Sequence, residues 1–310
     1  MKKKTQKSFG RTGPEEKKME ITIGNGKLTV VISEKGAELR SIKSADGTEY
    51  LWQGNPRYWS DRALNLFPYV ARLTDGTYTL HGKTYGMPIH GFLPSAVTSA
   101  ENITETCADF VLRSNEETMR MYPYDFEYRI RYLLEGKCLK IESKVMNRSG
   151  EMMYFGLGGH PGFNVPLGED EVFEDYSLEF GAQCRPFRVG FTERCYLSGE
   201  DRPYPLEDGI RIPLRHDLFD EDAVVLKHMD RTVTLKGGKS GRGVRVKFDG
   251  FPYLGIWHMP KTDAGYVCIE PWLSLPSRDG IVEELSQQAD LIHLSPGQLY
   301  SLSWSVEILG

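Results

Sequence analysis

The stretch 126–145 restricts what this chain can fold into more than any other. Phe126, Tyr128, Ile130, Tyr132 and Leu134 alternate with more polar residues. Glu135-Gly136-Lys137 intervenes, and Leu139, Ile141, Ser143 and Val145 resume the alternation. Strand side chains change face at every residue, whereas a helix repeats about every 3.6 residues. The stretch therefore predicts an antiparallel hairpin with one face buried and a turn at Gly136. Such a hairpin is barely stable alone and needs more strands and a second layer.

The remainder supplies strands of the same kind. Ile21 and Ile23, then Leu28, Val30 and Ile32, flank the turn Gly24-Asn25-Gly26. Short apolar or alternating runs follow near 77–80, 176–180, 232–235, 244–248, 253–258 and 266–272, with Tyr300, Leu302, Trp304, Val306 and Ile308 closing the chain. Gly, Pro and Asn clusters separate them. Helical periodicity amounts to a turn or two near 65–73 and 283–288. The expected fold is all-β, a large antiparallel β-sandwich with few short helices. No repeat and no interior linker is evident, so 19–310 reads as a single domain.

Residues 1–18 are polar, Lys-rich and aperiodic, and read as a flexible tail. No apolar segment follows Met1-Lys2-Lys3-Lys4, so no signal peptide is read and a cytoplasmic location is expected. The net charge of -5 gives phosphate backbones nothing to bind, so nucleic acid is not an expected partner. No apolar run approaches the roughly 18 residues of a membrane helix. The five cysteines include no CxxC pair, which argues against a disulfide framework and against zinc. Phosphate-binding glycine loops and the zinc- and serine-hydrolase motifs are missing too, so neither metal nor cofactor is expected.

Two segments could carry chemistry. Gly158-Gly159-His160-Pro161-Gly162-Phe163 holds a histidine between backbone breakers, an arrangement that suits an imidazole aimed into a cleft. A hydrogen-bonded histidine in a turn is the plain alternative. Val267-Cys268-Ile269-Glu270-Pro271-Trp272 ends an apolar strand on a carboxylate. Partial desolvation there would raise its pKa toward that of a general base; a glutamate facing solvent is the alternative. Arg72 stands in an apolar segment and needs a partner, either a ligand oxygen or an internal carboxylate. His90, beside Gly91, is a ligand contact or a satisfied core histidine. Asp220 is a hydroxyl-binding group or one acid of a solvated loop with Asp217, Glu221 and Asp222. Trp257 and Trp272 could be platforms for a ring, although strand tryptophans are more often core.

Five pieces, taken in order, resemble the aldose 1-epimerase (galactose mutarotase-like) family, and most closely its bacterial LacX-like branch. They are Asn65-Leu66-Phe67-Pro68-Tyr69-Val70-Ala71-Arg72-Leu73, Ile89-His90-Gly91-Phe92, Gly159-His160-Pro161-Gly162-Phe163, Leu218-Phe219-Asp220-Glu221-Asp222-Ala223 and Ile269-Glu270-Pro271-Trp272. The resemblance implies a galactose mutarotase-like supersandwich that interconverts the α and β anomers of a free aldohexose. It implies Glu270 as general base, His160 as general acid, and Arg72, His90 and Asp220 as sugar contacts, with Trp257 a candidate platform. Gly159 departs from the asparagine that typical galactose mutarotases carry there. A small-molecule sugar is then the expected partner of a monomer or homodimer. The alternatives are a hexose-6-phosphate mutarotase, for which Arg57, Arg62 and Lys261 are candidate phosphate contacts, and a non-catalytic carbohydrate-binding protein. Glycoside hydrolysis would need a second carboxylate facing the bond.

Overall fold

A computed structural model describes residues 19–310, so the predicted tail 1–18 lies outside the described residues. The hairpin that dominates the sequence forms strands Phe126–Glu135 and Cys138–Asn147, paired in register from Cys138–Glu135 to Asn147–Phe126. Their alternate residues are buried, as the pattern requires. The hairpin lies within a nine-stranded antiparallel sheet, flanked by the strands Leu299–Leu309 and Cys107–Arg113. A seven-stranded antiparallel sheet forms the other principal layer and includes Ala63–Leu66, Gly158–Asn164, Tyr266–Trp272 and Tyr253–Trp257, adjacent in that order. The apolar residues of both sheets belong to one continuous core, to which each sheet contributes a buried face. The chain is thus an all-β antiparallel sandwich. No helix is long and apolar enough to cross a membrane.

The expected helical turn at 65–73 is instead a strand end followed by a loop, because Pro68 interrupts regular hydrogen bonding. Near 283–288 only the 3₁₀ turn Leu285–Gln287 forms. Among the described residues the one α-helix is Glu116–Met121, capped by the Asn115 side chain, which accepts from the N–H groups of Glu117 and Thr118.

Two further expectations are corrected. His160 and Glu270 do not sit where strands stop. Each lies inside a strand of the seven-stranded sheet, with a proline directly after it. The two strands pair at Gly158–Trp272 and again from Gly162–Cys268, and that constant register sets His160 across from Glu270. Between those points the ladder is interrupted. Gly162 N–H donates to Arg62 O on the Ala63–Leu66 side, so residue 161 faces the Tyr266–Trp272 strand. The hydrogen bonds framing a His160–Glu270 pair would need N–H groups from residues 161 and 271. Both are proline, which has none.

Candidate active site

Alternation along the Gly158–Asn164 strand decides which side chains face the site. At Gly159 a Cβ would lie 2.7 Å from Cζ2 of Trp304, in the opposing sheet. Residue 159 therefore points into the sandwich, and His160 points out of it. The departure from asparagine at this position is a core feature: Trp304 fills the space a side chain would take. Across the strand pair, Val267 and Ile269 belong to the main core, whereas Cys268, Glu270 and Trp272 face the other way.

On that outer face a cavity of about 420 Å³ is lined by Arg72, His90, His160, Trp257, Glu270 and Trp272, with Trp59, Cys195 and Asp222 among the remaining walls. His160 Nε2 lies 3.3 Å from Glu270 Oε2. His160 is 8% exposed and Glu270 1%. Trp272 Nε1–H donates to the same Oε2 at 3.1 Å and so orients the carboxyl group. Glu270 Oε1 and His160 Nδ1 are buried with no protein partner. Buried polar atoms are seldom left unpaired, and at a cavity wall such atoms are available to a ligand.

Burial pushes the Glu270 carboxyl well above the usual range, and the charge of Asp222 adds to the rise. Burial also pushes the His160 imidazole well below its ordinary value, helped by His90. The two shifts together describe a pair that holds one proton. Moving that proton across the 3.3 Å contact converts carboxylic acid and imidazole into carboxylate and imidazolium without changing net charge. Trp59 lies against the imidazole at 4.8 Å between ring centroids, and Trp257 and His90 meet it edge-on at 5.7 and 5.4 Å.

His90 and Arg72 arrive together. Residues Ala71, His90 and Gly91 all take positive φ, at 58°, 65° and 76°. A Cβ at Gly91 would sit 2.1 Å from Phe67 O, so only glycine fits there. His90 N–H donates to Ala71 O at 2.8 Å, and Ala71 N–H donates to His90 Nδ1 at 3.2 Å. With Nδ1 accepting, a neutral His90 carries its proton on Nε2 and is a donor there. Burial, then the neighbouring Arg72 charge, lowers its pKa to about 4, which keeps it neutral. Among the described residues Arg72 forms no ion pair; its guanidinium donates to Arg194 O at 3.4 Å. Non-glycine residues held at positive φ at a cavity wall are a recurrent feature of functional sites.

The cavity therefore gathers Arg72, His90, His160, Trp257 and Glu270. Asp220 is exposed and lies outside it; Asp222, two residues on, lines the wall and accepts from the Cys195 thiol at 2.9 Å. The acid-rich loop gave no means of choosing between the two. Trp59, which the sequence did not single out, covers His160. Its short separation from Trp52 in sequence was the available signal, since Trp52 Nε1–H donates to Trp59 O at 2.9 Å and folds that loop back. Of the basic residues considered for a phosphate, Arg57 reaches toward Asp263, and Arg62 donates to Arg40 O and Gln53 Oε1. Lys261 lies in a neighbouring groove. Cys268 Sγ lies within 4.8 Å of ligand atoms on His160 and Glu270. Burial and the Glu270 charge hold the thiol protonated, and it packs with Trp52 and Tyr266.

Comparison with known proteins places the fold and the family. Residues 19–306 match the family described as Aldose 1-epimerase. The chromosomal Protein LacX of Lactococcus lactis subsp. lactis is 37% identical over 288 residues, covering 89% of this chain and 96% of that protein. Among solved structures, a galactose mutarotase related enzyme from Lactobacillus acidophilus superposes with a TM-score of 0.89 at 37% identity, covering 94% of this chain and 97% of that one. A galactose mutarotase-like protein from Lactobacillus casei ATCC 334 gives 0.87 at 31%, covering 94% and 100%. Since the match runs through both principal sheets and every segment that lines the cavity, the chain belongs to the aldose 1-epimerase family, a family of isomerases.

Proposed function

We propose that the chain interconverts the anomers of a free aldohexose by opening and closing the sugar ring. The supporting observation is the 3.3 Å contact between His160 Nε2 and Glu270 Oε2 on the wall of one cavity. An anomeric carbon bears two oxygens, the hydroxyl and the ring oxygen. An acid and a base this close can serve both at once. The carboxylates of a glycosidase stand about 5 to 9.5 Å apart and flank a bond between two sugars.

In the reaction, Glu270 as carboxylate takes the proton of the anomeric hydroxyl while His160 as imidazolium gives one to the ring oxygen. The bond between the anomeric carbon and the ring oxygen breaks, leaving an aldehyde and a free hydroxyl. Rotation beside the aldehyde presents its other face. The hydroxyl then attacks, His160 takes its proton back, and Glu270 returns one to the new anomeric oxygen. The proton count of the pair is unchanged after one turnover. Arg72 and the Nε2–H of His90 hold sugar oxygens, Trp272 orients Glu270, and Trp59 and Trp257 exclude water from the pair. Positioned acid and base catalysis contributes about 10² to 10⁴.

Polarimetry of freshly dissolved α-glucose and α-galactose tests the reading, with equilibration well above the buffer rate as the expected result. A rate equal to buffer for every aldose tried would refute it. Comparison with glucose 6-phosphate decides the phosphorylated alternative. None of Arg57, Arg62 and Lys261 lines the inner cavity, so the free sugar is expected to be preferred.

A further inference from the structure

One wall of the cavity carries a thiol that the proposed reaction does not use. Phe191 and Leu197 form an antiparallel bridge, Thr192 N–H donates to Tyr196 O at 2.9 Å, and Cys195 N–H donates to Thr192 O at 2.9 Å, so 191–197 is a tight hairpin. Its base is tied down. Leu197 N–H donates to Ser277 O at 3.0 Å, and the Tyr196 hydroxyl donates to Leu73 O at 3.4 Å. Its tip touches two residues of the cavity from different loops. Arg194 O accepts from the Arg72 guanidinium at 3.4 Å, and the Cys195 thiol donates to Asp222 Oδ2 at 2.9 Å. We propose that Cys195 is a positioning residue of the site: its S–H fixes the Asp222 carboxylate at the cavity wall, where that carboxylate accepts from a hydroxyl of the bound sugar. This rests on the epimerase reading above and adds a residue to it.

Asp222 needs a second partner to be held. It follows the 3₁₀ turn His216–Phe219, and its own N–H donates to Phe219 O at 2.9 Å. Its Oδ1 accepts from Ala223 N–H at 2.8 Å. One bond to one oxygen leaves a carboxylate free to pivot; the thiol at the other oxygen fixes its plane. Among the described residues no ion pair holds Asp222. A carboxylate has about four lone-pair sites, so two protein donors leave room for a ligand.

A thiol suits the task. An S–H is a weak donor, but a charged acceptor strengthens the bond. Burial, then the bond to Asp222, pushes the Cys195 thiol up to about 11, so it keeps the proton it donates. A Lys or Arg in its place would cancel the negative charge that helps to keep Glu270 protonated, whereas a neutral thiol orients Asp222 and leaves that charge in place. Cys195 and Asp222 also hold positive φ, at 62° and 73°, as Ala71 and His90 do on the same cavity wall.

The experiment follows anomerisation of glucose and galactose by polarimetry in the full chain, in Cys195→Ala, Cys195→Ser and Asp222→Asn, and in the double variant Cys195→Ala with Asp222→Asn. Cys195→Ala should raise KM about tenfold, the scale of a hydrogen bond to a charged group, with kcat little changed, because the contact holds the sugar before and during reaction alike. Cys195→Ser keeps a donor and should recover most of the loss. In the double variant Cys195→Ala should add nothing to Asp222→Asn, since it acts through that carboxylate. A tie that only held two loops together would lower the melting temperature and leave KM alone. An unchanged KM in Cys195→Ala, a serine variant as poor as the alanine one, or independent losses in the double variant would overturn the assignment. Should the unaltered chain turn over neither sugar, the epimerase reading fails, and calorimetric titration with galactose in the same variants judges Cys195 by the same pattern, with no binding to the unaltered chain overturning it as well.

Discussion

Glu270 is 1% exposed, and its neighbours are the imidazole of His160 and the indole N–H of Trp272. Converting Glu270 to Gln keeps the shape and removes the proposed base. Activity should fall by about 10² to 10⁴ with an unchanged circular-dichroism spectrum and melting temperature. The pH profile of kcat/KM follows from the same pair. The proposed reaction requires one proton on it, so activity should fall when a second is added or the one is lost. Burial drives His160 down and Glu270 up, which spreads the two limbs apart. The basic limb should therefore lie well above about 6.5, the ordinary histidine value at which an unshifted pair would lose its proton, in polarimetry corrected for buffer catalysis. A basic limb at that ordinary value would mean that burial does not hold the proton on the pair. The sequence indicated both residue types but not their contact: that depends on a register of strands separated by more than a hundred residues, which local patterning does not encode. Asp222 and Trp59 were hidden for a similar reason, since one acid among four and one tryptophan in a loop differ only by where the fold sends them.

At the scale of strands, the segment around His160 was legible as a chain of backbone breakers, but their purpose was not. Gly159 read as a backbone breaker beside His160 and is a contact surface for Trp304. Gly159→Ala should cost about 1–3 kcal/mol by overpacking, measured by denaturant unfolding, because both the opposing indole and the strand are fixed by the core. A cost near zero would mean that Trp304 can move aside. Pro161 looked like a strand terminator and lies within the strand. Pro161→Ala restores an N–H donor facing the glutamate strand, so the two strands can pair more closely around His160. A shift of this kind should slow turnover by about tenfold while the melting temperature holds or rises. The long hairpin was read correctly because its alternation is local, and Phe126–Glu135 and Cys138–Asn147 need no distant information to declare their faces.

For the whole molecule, the sandwich itself was legible because short alternating strands separated by Gly and Pro leave few other solutions. The order of strands within the sheets was not, since it depends on long-range pairing. One core spans both principal sheets, so thermal unfolding of 19–310 should be a single cooperative transition in calorimetry; two resolved transitions would divide the chain. Stability should also fall with acid. His90 and His258 are both lowered to about 4, chiefly by burial. The unfolded chain takes up their protons near about 6.5 and the folded chain only near 4, so stability declines as pH drops through that window. The His160–Glu270 pair holds one proton when folded. The unfolded chain also holds one on these two residues between the ordinary glutamate and histidine values, so the pair offers little compensation there. The melting temperature measured across this range checks the sign. The prolines that follow His160 and Glu270 have a wider consequence. The proposed acid–base pair stands where two neighbouring strands are prevented from zipping together, and loops bring Arg72, His90 and Asp222 up to it. Such a centre can be closed by a single codon change in either strand while the sandwich around it stays whole, so within this architecture a well-folded relative need not be a working one.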